Sequence, residues 1–183
     1  MYRIRRKQLG ILLVLPAVVS GTGCQQHGKH HQSRHAVCEI RPIGGSNISG
    51  SIEFFEEGGE VRVIGKIEGL APGRHAIHVH NYGDLRDRDE AKSAGGHFNP
   101  TDQPHGSRIA NSRHVGDLGN IEADPDGIAS VTMMDDKIKL TGAHSIIGRS
   151  VVIHAASDSF TQPSGNAGAR VAAGVIGLSK PTD

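Results

Sequence analysis

A pair of histidines two residues apart constrains this chain more than any other feature of its sequence. His78 and His80 lie in segment 74–81, which we predict to be a β-strand. Residues i and i+2 of a strand point to the same face, so the two imidazoles supply half of a four-nitrogen site that suits Cu(II). The spacing therefore predicts a metal site on one face of a sheet. Five more residues able to bind a metal follow downstream, mostly in loops rich in glycine, asparagine and proline: His97, His105, His114, Asp117 and His154.

Alternating apolar residues and frequent turn signals predict an all-β domain. The pairs Ile52/Phe54 and Val61/Val63 each repeat with the period of a strand. The chain has 25 glycines and no tryptophan, which suits tight turns around a core of small aliphatic side chains. No helical period of useful length is present. We expect eight strands, over residues 36–41, 48–55, 61–68, 74–81, 116–123, 128–134, 150–155 and 170–178.

Two long connections interrupt this regular series of strands. They cover residues 82–113 and 156–169, and they contain or flank most of the potential metal ligands. Long loops in a compact domain are usually functional. We therefore expect both loops to contribute to the site.

Three sequence blocks carry a resemblance to a known family. They are Gly-His97-Phe-Asn-Pro, His114-Val-Gly-Asp117-Leu-Gly-Asn, and Gly-Asn-Ala-Gly-Ala-Arg170 followed by Gly174-Val-Ile-Gly. With these blocks, segment 36–178 resembles the copper/zinc superoxide dismutases of the β-sandwich type. The resemblance implies a flattened eight-stranded Greek-key barrel with the metals on its outer face. It also implies an enzyme that converts superoxide to dioxygen and hydrogen peroxide with copper and zinc as cofactors.

The same resemblance implies a role for each candidate site residue. It implies a copper site with these ligands: His78, His80, His97 and His154. It implies a zinc site with these ligands: His97, His105, His114 and Asp117. His97 would bridge the two metals. Asp158 would accept hydrogen bonds from His78 and His105, and Arg170 would orient superoxide beside the copper.

Two further histidines are interpreted as structural residues. His75 is offset by three from His78, which points it to the opposite face of the strand. His144 lies in a short loop segment, Gly-Ala-His-Ser-Ile. For Asp158 the alternative is a solvated loop carboxylate, and for Arg170 it is an ordinary surface arginine. The sequence leaves both alternatives open.

The first residues have the pattern of an export signal. Four basic residues precede a short apolar run over 9–19, which is too short to span a membrane. We expect a signal peptide over 1–23 and lipidation of Cys24, with ordinary cleavage nearby as the alternative. These features predict an extracytoplasmic protein, in the periplasm or cell envelope, that meets a membrane only through Cys24. The mature chain has no basic patch, so we expect no nucleic-acid partner.

A histidine-rich segment connects Cys24 to the expected domain over residues 36–183. Segment 24–35 contains four histidines: His27, His30, His31 and His35. One interpretation is a hydrophilic tether, and the other is a tail that collects copper or zinc at low affinity. The sequence does not decide between them.

The sequence departs from the family's pattern in ways that affect its stability. The resemblance places the two halves of the usual disulfide at Ala91 and Ala173, so that bond is absent. The first long loop is longer than usual and highly charged, and the second is shorter and lacks the usual glutamates and lysines. Arg170 would then carry most of the electrostatic steering. We expect stability to depend heavily on bound metal.

Two questions about assembly and activity remain at this point. Five positions match the dimer contact of the eukaryotic members and admit a homodimer: Val37, Gly83, Ile147, Gly148 and Leu178. The alternative to an enzyme is a non-enzymatic extracytoplasmic protein that binds or buffers copper and zinc. A degraded family member would be expected to lack a copper ligand or the arginine. The presence of every ligand and of Arg170 favours catalysis.

Overall fold

The eight predicted strands are present and form one closed antiparallel barrel. A computed structural model describes residues 34–180. Its strands, labelled β1 to β8 in chain order, are Arg34–Pro42, Ser49–Glu57, Glu60–Glu68, Gly73–His80, Asp117–Ala123, Ala129–Asp135, Ser150–His154 and Arg170–Leu178. Two short 3₁₀ helices, Lys92–Ala94 and Gly142–His144, lie in the connections. Within residues 34–180, no helix has the length and apolar character that a membrane span requires.

The strand order gives the barrel its Greek-key connections. Around the barrel the order is β1-β2-β3-β6-β5-β4-β7-β8, and β8 pairs with β1 to close it. Closure leaves no strand with an unpaired edge. The predicted all-β class and Greek-key barrel are therefore confirmed.

The barrel interior is filled by alternate residues of the strands. Ile52 and Phe54 on β2 face Val61 and Val63 on β3, and none of the four is exposed to solvent. Strand β4 differs, because all six residues from His75 to His80 are buried. Its inward side chains enter the core, while His78 and His80 on the outer face are covered by the long loops. This coverage explains why β4 has no exposed residue from His75 to His80.

A second, smaller apolar cluster lies outside the barrel under the first long loop. Val152 and Ala173 are paired across β7 and β8, and they pack with Ala91, Ala94 and Ile43. Ala91 and Ala173 are the two positions where the family's disulfide would fall. The loop therefore meets the barrel wall here through van der Waals contact instead of a covalent bond.

The start of the described chain differs from the expected domain boundary. Strand β1 begins at Arg34, so His35 is a strand residue and not part of the expected 24–35 tether. His35 pairs with Phe55 on β2, and the two rings stack with centroids 4.2 Å apart. This stacking extends β1 beyond the apolar pattern that marked it in the sequence. The expected signal peptide, Cys24 and the rest of the histidine-rich segment lie outside the described residues.

Candidate metal centre

The structure brings the seven candidate ligands into two groups that share one residue. The four-histidine group contains His78, His80, His97 and His154. The mixed group contains His97, His105, His114 and Asp117. Within each group the potential ligand atoms all lie within 4.8 Å of one another. His97 belongs to both groups, so its ring lies between them.

Three different parts of the fold supply the four-histidine group. His78 and His80 alternate with the core residues Ile77 and Val79 on β4, so both imidazoles point outward. His154 ends the neighbouring strand β7, and His97 makes an isolated bridge to His80 from the first long loop. The sequence places two ligands by strand period alone, whereas the other two depend on strand order and loop path.

Three nitrogens of this group are buried without a hydrogen-bond partner. They are His78 Nδ1, His80 Nε2 and His154 Nε2. A buried polar atom left unpaired typically lowers the free energy of unfolding by about 1–3 kcal/mol. Three such atoms that converge therefore destabilise the fold unless a ligand binds them. Imidazole lone pairs are good ligands for copper and zinc. The four-histidine group therefore has the donors that a copper ion needs.

The opposite nitrogens of the same rings are held by hydrogen bonds. His80 Nδ1 lies 2.9 Å from the carbonyl of Gly95, and His154 Nδ1 lies 3.2 Å from that of Gly168. A carbonyl oxygen can only accept, so each Nδ1 carries the hydrogen. The other nitrogen of each ring then presents a lone pair toward the group.

The mixed group is arranged around one oxygen of Asp117. Its Oδ1 lies 2.9 Å from His97 Nδ1, 3.0 Å from His105 Nδ1 and 3.1 Å from His114 Nδ1. Its Oδ2 accepts the backbone N–H groups of Gly106 and His114 at 3.0 and 2.9 Å. Three imidazole nitrogens and one carboxylate oxygen form a donor set of the kind that closes a tetrahedral zinc site. The two backbone bonds leave Oδ1 free to act as the ligand.

Asp158 joins the two groups from behind. Its Oδ2 lies 2.9 Å from His78 Nε2, and its Oδ1 lies 2.9 Å from His105 Nε2. Both rings therefore turn their Nδ1 atoms toward the groups. Gly165 lies so close that an added Cβ would be 1.9 Å from Asp158 Oδ1, so no side chain fits there.

Sequence reasoning missed two residues that position this site. Asn120 on β5 accepts from the Asp158 N–H at 2.7 Å and donates to the Asp158 carbonyl at 3.1 Å, which fixes the second long loop to the barrel. The buried guanidinium of Arg113 binds Asp135 at 2.7 Å and reaches the carbonyl of His114 at 3.2 Å. Asn120 ends the motif His114-Val-Gly-Asp117-Leu-Gly-Asn, but nothing in the local sequence indicates its contact with Asp158. The burial of Arg113 could not be predicted from the sequence, because a single arginine in a polar loop is usually exposed.

The remaining candidates are placed as follows. Arg170 opens β8, and its guanidinium donates to the carbonyls of Ala91 at 2.6 Å and Gly95 at 2.7 Å. His75 binds the carbonyls of His154 and Ala71, each at 2.8 Å, and His144 binds that of Lys137 at 3.0 Å. His75 and His144 belong to neither metal-binding group.

Burial controls the protonation of the metal-free site. It lowers the pKa of His97 to about 4 and that of His154 to about 3, and it lowers the pKa of His80 well below its usual range. Neighbouring imidazoles add to each effect. Burial alone would raise the pKa of Asp117, but hydrogen bonds from His105, His114 and His97 outweigh it and lower that pKa far below its usual range. His80, His97, His154 and Asp117 therefore have lone pairs free to bind cations near neutral pH.

The protein is a Greek-key barrel, and its outer face carries a four-histidine group and a mixed group that share one histidine. This arrangement defines a class of copper- and zinc-binding β-barrel proteins. The family model described as copper/zinc superoxide dismutase matches residues 48–176. A relative named superoxide dismutase [Cu-Zn] 2, from Mesembryanthemum crystallinum, is 44% identical over 143 residues, which are 74% of this chain and 90% of the relative. The superoxide dismutase [Cu-Zn] of Onchocerca volvulus is 44% identical over 158 residues, which are 80% of this chain and 97% of the relative.

A solved structure is similar as well. The crystal structure of the clock protein EA4 superposes with a TM-score of 0.74 and 41% sequence identity, over 80% of this chain and 96% of that one. The chain therefore belongs to the copper/zinc superoxide dismutase family. It is an oxidoreductase that converts superoxide to dioxygen and hydrogen peroxide, with copper and zinc as its cofactors.

Proposed function

We propose that the four-histidine group holds the copper and the mixed group holds the zinc of this dismutase, with His97 serving both. One observation carries the assignment: His78 Nδ1, His80 Nε2 and His154 Nε2 converge, buried and without a partner. The mixed group differs because it includes the carboxylate of Asp117, which suits zinc. Copper held by these four histidines would supply the one-electron redox chemistry, in which one superoxide is oxidised and a second is reduced.

His97 links the two groups and handles a proton. Its Nδ1 faces Asp117 in the mixed group, so its Nε2 is the nitrogen that serves the four-histidine group. A neutral imidazole has one free lone pair, so serving two ions requires the loss of its second proton, which adjacent divalent cations favour. Nε2 is then the atom that can take up a proton and pass it to the peroxide product.

Arg170 binds and orients the substrate in this proposal. Its guanidinium is half-buried and is fixed by two carbonyls of the first long loop. A permanent cation held in one orientation attracts a small anion such as superoxide and supplies directed N–H donors. Asp158 acts through His78 and His105, because its carboxylate fixes the orientation of both rings.

The decisive experiment is metal analysis combined with a dismutation assay. The purified chain should contain copper and zinc, lose superoxide dismutation when copper is removed, and regain it when copper is restored. His154→Ala should lower copper content and activity together, while His144→Gln should change neither. A metal-loaded chain that does not dismutate superoxide would contradict the proposal. Equal copper content in the native chain and His154→Ala would contradict the ligand assignment.

We also propose that two copies associate through the face that contains Val37, Gly83, Ile147, Gly148 and Leu178. Val37 pairs with Gly177 next to Leu178, and both apolar side chains are exposed. Gly83 packs against the carbonyl of Gly148, since an added Cβ there would lie 2.4 Å from that oxygen. Light scattering should give the mass of a dimer. Leu178→Lys should reduce it to a monomer and Ile109→Lys, an exposed site elsewhere, should not. A native monomer would contradict the proposal.

Finally, we propose that the chain is exported and anchored by a lipid on Cys24. The basic start, the short apolar run and the position of Cys24 behind small residues support this. Mass spectrometry of the mature N-terminus should find residues 1–23 removed and an acylated Cys24. Cys24→Ala should move the chain from the detergent phase to the aqueous phase. Recovery of the native chain in the aqueous phase would contradict the anchor.

A further inference from the structure

A cleft of about 270 Å³ opens beside Arg170, between the two long loops. The second long loop contributes only Gly168 and Ala169 to its wall, and neither carries a charge. The first long loop contributes the other charged side chains: Asp89, Glu90 and Lys92. Together with Arg170, the wall holds two positive and two negative groups, so its charges cancel. Apart from Arg170, the charge of the cleft wall therefore depends on the first loop.

The backbone of this part of the first loop is fixed. The Asp87 carboxylate accepts the N–H groups of Asp89 at 3.2 Å, Glu90 at 3.1 Å and Lys92 at 2.8 Å. One side chain thereby holds the three charged residues of the cleft wall in a constant arrangement. The backbone positions of Asp89, Glu90 and Lys92 are therefore fixed by hydrogen bonds within the loop.

The same segment is attached directly to Arg170. The guanidinium donates to the carbonyl of Ala91, the residue before Lys92, and to that of Gly95, just beyond the 3₁₀ helix that starts at Lys92. The Ala91 carbonyl that Arg170 binds belongs to the peptide bond between Ala91 and Lys92. Arg170 therefore contacts the backbone immediately before Lys92. Any anion that approaches Arg170 through the cleft also passes Lys92.

The Lys92 ammonium contacts the Glu90 carboxylate, and both side chains are more than half exposed. An exposed ion pair in water is weak, so Lys92 exchanges readily between Glu90 and another anion. We propose that Lys92 is a second cation that guides superoxide to the copper, and that Glu90 restrains the rate by neutralising it. The proposal rests on the proposed function, in which Arg170 orients superoxide beside the copper.

Charge counting gives the expected effects. Lys92→Gln leaves the cleft wall with an excess negative charge, and Glu90→Gln leaves it with an excess positive charge. In water, a unit charge about 8 Å from an anion changes its local concentration about two- to threefold. Salt screens exposed charges over about 10 Å at 0.1 M, so both effects should disappear as ionic strength rises.

The test uses four metal-loaded proteins: the native chain, Lys92→Gln, Glu90→Gln and Arg86→Gln. Arg86 is the matched control, because it lies in the same loop and pairs with Asp84 instead of lining the cleft. Two quantities are measured across ionic strength: kcat/KM for superoxide and the affinity for azide, followed by the visible spectrum of the copper. Metal analysis verifies equal copper content.

At low ionic strength, Lys92→Gln should lower kcat/KM and azide affinity about two- to threefold, and Glu90→Gln should raise both by a similar factor. Arg86→Gln should match the native chain. The proposal is overturned if Lys92→Gln and Arg86→Gln behave alike, or if the Lys92→Gln effect persists unchanged at high salt. A native metal-loaded chain without dismutation would instead overturn the proposed function, and the role of Lys92 with it.

Discussion

The barrel interior and the histidine groups on its outer face are both largely buried, but they differ in what completes them. Phe54 in the core and His78 in the four-histidine group are both inaccessible to solvent. Phe54 is surrounded by apolar side chains and needs nothing else. His78 keeps one ring nitrogen without a partner, as His80 and His154 do. Burial therefore stabilises the barrel interior by itself, but it stabilises the histidine groups only when a metal is bound.

The energetic consequence is a division within one domain. Each large apolar side chain buried in the core contributes about 1.5–3 kcal/mol, while each buried polar atom left unpaired costs about 1–3 kcal/mol. The barrel should fold from its own sequence. The long loops, which carry His97, His105, His114 and Asp158, should depend on metal for their stability.

Metal removal should have the largest effect and should separate the two regions. A metal that binds only the folded chain stabilises it, and for structural zinc this reaches about 10 kcal/mol. Scanning calorimetry should show a sharply lower melting temperature for the metal-free chain. Hydrogen exchange should then accelerate in the connections between β4 and β5 and between β7 and β8, while β1, β2 and β3 stay protected. Equal melting temperatures for the metal-free and metal-loaded chains would show that the long loops do not depend on metal for their stability.

A core substitution should lower the free energy of unfolding equally in the metal-free and metal-loaded forms. Phe54→Ala removes a fully buried ring and should cost about 3–5 kcal/mol, with or without metal. Phe55→Ala, on the opposite face of the same strand, should cost less because its ring is partly exposed. Denaturant unfolding of both forms measures the difference. A loss confined to the metal-loaded form would mean that the barrel is not independent of the site.

Acid should weaken the metal-free chain through the histidine groups. The folded-state pKa values of His97 and His154, lowered by burial to about 4 and about 3, lie below the 6.5 of an unburied histidine. Between these values the unfolded chain binds protons that the folded chain does not, so stability is full above about pH 6.5 and is lost progressively as the pH falls from there to about 4 and 3.

The loss at pH 4 should be on the order of 3 kcal/mol for each of these two histidines. His105 offsets part of it: burial alone would lower its pKa, but Asp117 and Asp158 raise it. Unfolding of the metal-free chain between pH 7 and pH 4 measures the slope, with His144→Gln as a control that should follow the native curve. Constant stability over this range would mean that the histidine groups open to water without metal.

Asp158→Asn should have the smallest effect and should act on metal alone. An amide cannot accept from two imidazoles as the carboxylate does, so metal affinity should fall about 10- to 100-fold. Competition with a chelator measures it. Asp126→Asn, in the exposed turn between β5 and β6, is the matched control. Equal affinities in the two variants would remove Asp158 from the support of the site.

Local pattern was enough to predict the strands, because alternation and turn residues act over a few positions. All eight expected strands are present, with ends displaced by at most about two residues. Residues His78 and His80 could be assigned to one face for the same reason. The Greek-key barrel was implied by the family resemblance, and the order of its strands was not predicted, since period alone does not specify which strands pair.

The residues that support the site were harder to predict, because their roles depend on contacts distant in sequence. Asn120 and Asp158 are 38 positions apart, and Arg113 and Asp135 are 22 apart. No local pattern distinguishes such an asparagine or arginine from an exposed one. His35 shows the opposite case: its polar neighbours suggested a tether, but stacking on Phe55 places it in a strand.

The alanines at positions 91 and 173 also determine how this chain matures. Both are buried in the small cluster that joins the first long loop to the barrel. The single cysteine within residues 34–180, Cys38, is buried on β1, and burial raises the pKa of its thiol to about 12, which keeps it unreactive. Folding of this domain should therefore consume no oxidant, the folded domain should be insensitive to thiol reagents, and only the ordering of the long loops should be limited by the supply of copper and zinc.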